Sequence, residues 1–323
     1  MSSLYIGVMS GTSRDNLDGC IVDFANSFKI HKTLTIPFSK NYKASESYDF
    51  ISQEINEKTI HLVSRIIEES NFSKKDIKAI AFSGQTISHN KKLSLQAGNP
   101  KYISDRLSIE VISDFRNEDI RRGGLGAPLI PDFHNYIFGE INKTKLIVNI
   151  GGIANGTHLV GKEVSLASDL GPGNCLMDYA MINKNLGNFD LDGNIASMGN
   201  LNNKLYQEIS EPIKKLHYPR ADDISVYTDK IKQIDLNEFS AEEILRTLAE
   251  VTAAKIHDFY LVCQKPEEVF IHGGGAKNKF LMHLLESRIG KGITTTNDYI
   301  PIEYVEAAAF AFLAYSERGV SFK

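Results

Sequence analysis

The chain has 323 residues, 42% of them hydrophobic and 24% charged, the balance of a globular protein of about two domains. A net charge of −4 offers no general attraction to nucleic acid or to an anionic membrane surface, and no apolar run is long enough to span a bilayer. Three scattered cysteines, Cys20, Cys175 and Cys263, form neither a CxxC pair nor a zinc spacing, so a reducing, cytoplasmic setting is expected.

The N-terminus lacks a basic segment, and residues 4–9 are expected to be a first strand rather than a signal peptide. Residues 20–24 read as its hairpin partner. The turn between them, SGTSRDNLDG at residues 10–19, is rich in glycine, hydroxyls and Asp, and glycine lets backbone N–H groups come close to an anion. Residues 47–70 carry Phe50, Ile51, Ile55, Leu62, Val63, Ile66 and Ile67 at helical spacing. A strand at 77–82 runs into a polar loop from Ser83 to His89 containing Gln85 and Thr86, the kind of position where open α/β sheets take ligands. A turn at 96–100, a short helix at 102–107 and a strand at 110–114 follow. Next come Arg116, Arg121 and Arg122, then Gly123, Gly124, Gly126 and Pro128, read as a mobile connection where the chain crosses between domains. The arginines are either a solvated linker or partners for a substrate carboxylate, with Arg121 and Arg122 nearest the hinge.

Residues 146–150 form a buried strand, broken by Gly151-Gly152 and followed by a second apolar run at 158–160. This repeats the strand, glycine turn, strand pattern of the N-terminus and suggests two related cores. Asp169 lies in DLGPGN, residues 169–174, as a candidate base on a Gly-Pro-Gly turn or as an ordinary tight turn. Residues 189–194, FDLDGN, read as an Asx-rich loop, 200–215 as a helix, and 214–235 show no clear period. Ser240 and Glu243 make a capping box for a helix whose buried face is Ile244, Leu245, Leu248, Val251, Ile256 and Phe259. A strand at 268–272 enters Gly273-Gly274-Gly275 and then a helix at 280–289, a backbone-lined turn suited to a nucleoside or phosphate. The last helix spans 305–318, with Glu306 in the first turn, where the helix dipole favours an acid. GTHLVGK at 156–162 fits part of a Walker A pattern, but Glu163 follows and no helix begins there, which excludes a P-loop.

Two glycine hairpins and a third glycine turn ahead of a helix are the arrangement of the actin, sugar kinase and Hsp70 class. In order, GVMSGTSRDNLDG (7–19), SGQT (83–86), DFR (114–116), GGLGAPL (123–129), NIGGIAN (149–155), DLGPGN (169–174), GGGAKN (273–278) and Glu306-Ala307 closely resemble the signature segments of the anhydro-N-acetylmuramic acid kinase family. The resemblance implies an α/β fold of two related actin-like ATPase (ribonuclease H-like) domains flanking an ATP/substrate cleft. The first would comprise residues 1–120 plus 305–323, the second residues 121–304 with the adenosine-binding turn. It implies a cytoplasmic enzyme of peptidoglycan recycling that uses ATP and Mg²⁺ to open the 1,6-anhydro bond of an amino sugar with water and to phosphorylate O6.

Transferred by motif, Asp169 is the catalytic base. Gly11, Thr12, Ser13, Arg14, Asp15, Asn16, Leu17 and Asp18 form the first ATP turn. Asp15 and Asp18 are hard-oxygen candidates for Mg²⁺, or plain turn residues. Asn149, Gly151, Gly152 and Asn155 form the second ATP turn, and Gly273, Gly274, Gly275 and Asn278 lie by the adenosine. Gln85, Thr86, Arg116, Arg121, Arg122, Gly171, Asn174 and Glu306 fall on the sugar side. A homodimer is one assembly the sequence allows. Three departures stand out: Asn16 replaces a usual Gly, Glu303 a commoner Asp, and His217 to Ser225, HYPRADDIS, the expected PPKSTGRE. They keep open a kinase of the same fold acting on another anhydrosugar or hexose, and a non-catalytic actin-like ATP-binding protein.

Overall fold

A computed structural model describes residues 3–323 except 12, 26, 46, 91, 215, 216 and 291. The chain divides into two units, Met1–Ile137 with Glu303–Lys323, and Phe138–Ile302.

In the first unit β1 (Leu4–Ser10), β2 (Asn16–Asp23) and β3 (Lys29–Pro37) form an antiparallel meander. All seven residues of β1 are buried, as a central strand requires. After α1 (Lys40–Ala44) comes α2 (Tyr48–Glu68), capped by the Ser47 side chain and burying Ile51, Ile55, Leu62, Val63, Ile66 and Ile67. β4 (Ile77–Phe82) pairs parallel with β1. The polar stretch expected to be a loop is instead β5 (Gln85–His89), paired with β6 (Ser94–Ala97) in a separate two-stranded ribbon. α3 (Pro100–Leu107), β7 (Val111–Ser113), α4 (Phe115–Arg121) and α5 (Pro131–Phe138) follow.

The glycine-rich connection after α4, expected to be the crossover between domains, lies inside the first unit and carries its own hydrogen bonds. The Asp119 carboxylate accepts from the Gly126 N–H (2.8 Å), the Asp119 carbonyl from the Gly124 N–H (2.9 Å), and Arg116 donates to the Gly126 carbonyl (2.9 Å). The glycines serve close approach: a Cβ on Gly124 would lie 2.1 Å from an Asp119 carboxylate oxygen. The chain stays in the first unit through residue 137, where Phe133 and Tyr136 pack edge-on against Phe28 and Phe24.

In the second unit β8 (Thr144–Ile150), β9 (Ile153–Val160) and β10 (Glu163–Pro172) form another antiparallel meander. The Walker-like stretch runs along β9 and its turn, which explains why no helix follows it. Asp169, expected on a turn, sits in β10; the Pro at the end of that strand is tolerated because β10 is an edge. Helices α6 (Cys175–Asn183), α7 (Asn194–Met198), α8 (Asn203–Lys214), α9 (Ser225–Ile231) and α10 (Ala241–Val262) come next. Ser240 and Glu243 form the expected capping box, and α10 packs against α6, α7 and α8. β11 (Glu268–His272), α11 (Lys279–Ile289) and β12 (Thr294–Thr295) complete the unit, with β11 parallel to both β8 and β12.

The sheet order is β10-β9-β8-β11-β12, and the first unit carries the same succession, β3-β2-β1-β4-β7. The two glycine hairpins, β1–β2 and β8–β9, are therefore topologically equivalent. The chain then returns to the first unit as α12 (Val305–Tyr315) and β13 (Val320–Phe322), which pairs with β7. Side chains alternate across a strand, so Gly7, paired with Cys20, and Gly19, paired with Val8, open onto opposite faces of the sheet. A Cβ on Gly7 would lie 1.8 Å from the Ala307 carbonyl oxygen of α12, and one on Gly19 2.3 Å from Leu62 of α2. Helices thus cover both faces of this sheet.

Candidate active site

In the second unit three backbone segments converge. The turn after β8 is bound to the start of α6: the Asn174 N–H donates to the Gly151 carbonyl (2.8 Å), and the Gly173 and Cys175 N–H groups to the Gly152 carbonyl (3.0 and 3.1 Å). The Asn174 side-chain amide donates to the Ile150 carbonyl (3.2 Å). The triple-glycine turn lies against the same residues, since a Cβ on Gly275 would come within 2.2 Å of Ile150 and 3.1 Å of the Asn174 side chain. Gly274, by contrast, is exposed, and a Cβ there would meet nothing closer than Asn174 Nδ2 at 3.8 Å. Asn149 and Asn155 face each other across the β8–β9 hairpin, and both amide oxygens are buried without a hydrogen-bond partner among the described residues. A buried polar atom left without a partner costs about 1–3 kcal/mol, and such atoms mark places where a ligand donor is wanted. Gly171 is buried against the stem of Lys255, and the Asn278 side chain caps α11 by accepting from the Leu281 N–H (2.9 Å). These two are held by packing and capping.

Asp169 stands on β10 opposite Asn155. It is only 6% exposed. Its N–H donates to the Arg220 carbonyl (3.0 Å), and its Oδ2 accepts from the Asp222 N–H (2.8 Å). Arg220 pairs through Nε with Asp222 (2.6 Å), and Tyr227 donates its hydroxyl to the same carboxylate. Burial beside Asp222 pushes the Tyr227 phenol far above its ordinary range, so it stays a donor. Nothing in the sequence singled out Arg220, Asp222 or Tyr227: they fall in or just after the one segment that departs from the family pattern, where no periodicity marks them.

In the first unit the turn after β1 is built from the same materials. The Arg14 N–H closes it onto the Gly11 carbonyl (3.2 Å), and the Arg14 guanidinium donates to the Ser45 carbonyl (2.8 Å). Thr12 lies outside the described residues. Gln85, expected on the sugar side, is 1% exposed and braces this turn, accepting from Ser10 (2.6 Å) and Tyr42 (3.1 Å) and donating to the Gly11 carbonyl (3.3 Å). Asn16, Leu17 and Asp18 belong to β2. One Asp18 oxygen accepts from Thr35 (2.6 Å), while Asp15 is half-buried in the turn. No group of three or more His, Cys, Asp or Glu side chains is gathered for a metal among the described residues. Mg²⁺ asks for less, one or two carboxylates plus waters and phosphate oxygens, and Asp15 and Asp18 fit that donor set.

The arginine cluster is not uniform. Arg121 pairs with Glu118 (2.7 Å) and Asp114 (3.1 Å), and Arg122 with Glu118 (3.0 Å), all along α4 and exposed. Those charges are already matched locally. Arg116 is half-buried and reaches Gly126. Thr86 lies in β5, and Glu306 in the first turn of α12.

A model of the family described as anhydro-N-acetylmuramic acid kinase matches residues 3–318. An anhydro-N-acetylmuramic acid kinase of Shewanella denitrificans is 37% identical, over 96% of this chain and 90% of that protein. One from Actinobacillus pleuropneumoniae is 32% identical, over 97% and 92%. Among solved structures, component A of the Acidaminococcus fermentans (R)-2-hydroxyglutaryl-CoA dehydratase superposes with a TM-score of 0.54 at 13% identity, over 98% of this chain and 99% of that one. The activator of the Clostridium difficile 2-hydroxyisocaproyl-CoA dehydratase, with bound ADPNP, gives 0.53 at 16% identity, over 98% and 95%. At that identity the likeness concerns the fold. No helix of the described residues is long and apolar enough to cross a membrane.

Proposed function

We infer the following chemistry for this chain, which belongs to the anhydro-N-acetylmuramic acid kinase family. It is an ATP-dependent kinase of peptidoglycan recycling, and its substrate is a small-molecule sugar. The finer reading is that it opens 1,6-anhydro-N-acetylmuramic acid with water. Asp169 takes a proton as the water oxygen bonds to C1 and the C1–O6 bond breaks. O6 then takes the γ-phosphoryl group, the β–γ bridge is cleaved, and ADP and the sugar 6-phosphate leave. Phosphoryl transfer asks a protein mainly for positioning and charge neutralisation, and one fixed carboxylate suffices to activate the water. The observation that carries the reading is Asp169, buried on the strand next to a glycine hairpin whose two asparagine oxygens lack partners among the described residues.

The glycine hairpin turn of each unit, taken by itself, offers backbone N–H groups suited to phosphate oxygens, and Gly274 offers an open floor to the nucleoside. Asp15 and Asp18 would hold Mg²⁺, which spreads the phosphate charge when bound. Three free, buried cysteines fit a cytoplasmic location. The altered residues 217–225 lie directly on Asp169, and this favours one second reading, the same hydrolytic phosphorylation of a different anhydrosugar. Asp169→Asn keeps the shape and loses the proton acceptor. Its turnover is expected to fall at least about 10²–10⁴-fold with ATP affinity unchanged by calorimetric titration. A variant that retains more than about a tenth of parental turnover removes Asp169 from the role.

A further inference from the structure

The segment that departs from the family pattern is also the one that touches the proposed base. Arg220 is the residue that fastens it. Its backbone N–H donates to Ser168 Oγ (2.9 Å), and its carbonyl accepts from the Asp169 N–H (3.0 Å). Its guanidinium donates through Nη2 to the Leu170 carbonyl and through Nε to Asp222 (2.6 Å). Arg220 therefore grips β10 at Ser168, Asp169 and Leu170 while holding Asp222 on its other side. The Asp222 N–H is the donor to Asp169 Oδ2 (2.8 Å). The guanidinium also lies over the Tyr218 ring, 4.9 Å from its centroid.

A guanidinium this deeply buried, in a side chain 8% exposed, persists only where it is paired and hydrogen-bonded. Here the pairing is aimed at one object, the backbone that holds the carboxylate. Tyr227, 1% exposed, completes it by donating to Asp222 from α9. Arg presents its donors in a rigid planar fork, whereas Lys is a single point of charge on a flexible stem. A Lys at 220 could reach the Leu170 carbonyl or Asp222 but would not fix the angle between them.

We propose that Arg220, acting through Asp222, is the positioning residue that fixes the orientation of the Asp169 carboxylate. The proposal rests on Asp169 being the base. It makes residues 217–225 the local solution by which this chain holds its base without the PPKSTGRE sequence.

A double-mutant cycle in the full-length protein tests it, with ATP, Mg²⁺ and anhydro-N-acetylmuramic acid. Arg220→Lys is expected to lower kcat about tenfold to a hundredfold, the scale on which a small misplacement of a reacting group acts, with KM for ATP within about twofold. Tyr227→Phe, which loses one hydrogen bond, is expected to lower kcat about threefold. The deciding outcome is non-additivity: in the Asp169→Asn background neither change lowers kcat further, because residues that act as a unit do not add. Additive losses, or parental kcat in a folded Arg220→Lys protein, overturn the proposal while leaving Asp169 in place. A fully active Asp169→Asn protein overturns both. Should Arg220→Lys fail to fold by its melting curve, Tyr227→Phe closes the same cycle alone.

Discussion

Three histidines of the second unit, His158, His257 and His272, are held below the ordinary imidazole range, in each case chiefly by burial. His272 is the extreme: it ends β11, is wholly buried, and is pushed down to about 3. In the unfolded chain the same imidazole takes up a proton near its ordinary value of 6.5. Between those two values the unfolded state binds the extra proton, so stability is full above about 6.5 and falls as the pH drops toward 3. The slope contributed by one such group is about 1.4 kcal/mol per pH unit. Denaturant titrations at pH 7 and pH 5 should therefore differ by about 2 kcal/mol on account of His272, and His272→Gln should flatten that difference. An equal pH 7 to pH 5 loss in parent and variant would show that this residue does not carry the effect. At this scale the sequence was uneven. Asp169 was legible from its motif, but its holder was not, because Arg220, Asp222 and Tyr227 come together only when residues 217–225 fold back on β10. The Arg121 and Arg122 charges were legible as charges, yet their partner Glu118, three and four residues away on α4, is visible only once the helix is drawn.

The element that decides the nucleotide assignment is the triple-glycine turn between β11 and α11. Its three glycines are not equivalent. Gly273 adopts a φ of +82°, where a side chain is strained, and a Cβ on Gly275 would strike Ile150. Gly274 is exposed and sterically open. Gly274→Val is therefore expected to leave the melting temperature close to the parent while abolishing ATP binding in a calorimetric titration. Unchanged affinity would move the nucleoside away from this turn, and a large loss of stability would mean that the position serves the fold. Elements with a strong period were readable in advance: β4 and β11 lie where expected, α2 begins at its Ser47 cap, and α10 at its Ser240 capping box. The misses share one cause, which is that a pairing partner outside the segment itself overrides its local character. The polar β5 becomes a strand because β6 pairs with it, β10 because β9 does, and the glycines after α4 are pinned by Asp119. The carboxylates at 189–194 also found a local use: Asp190 accepts from the Ile195 and Ala196 N–H groups (2.9 Å each) at the start of α7.

Over the whole molecule, one plan appears twice. Each unit sets an antiparallel three-strand meander beside two further strands in the same order, and each places a glycine-bearing hairpin at the first turn. The two copies have diverged in what the third meander strand carries: β10 bears the buried Asp169, while β3 of the first unit supplies Thr35 to Asp18. On the proposed reading, proton transfer belongs to the second unit and the metal donors to the first. The central claim is that water, activated by Asp169, opens the anhydro bond in the same turnover that phosphorylates O6. The most direct measurement is mass spectrometry of the product formed from anhydro-N-acetylmuramic acid, ATP and Mg²⁺ in water enriched in ¹⁸O. The expected product is the sugar 6-phosphate carrying one ¹⁸O at C1, formed together with ADP. A phosphorylated sugar without ¹⁸O at C1, or no phosphorylated sugar at all, would contradict it.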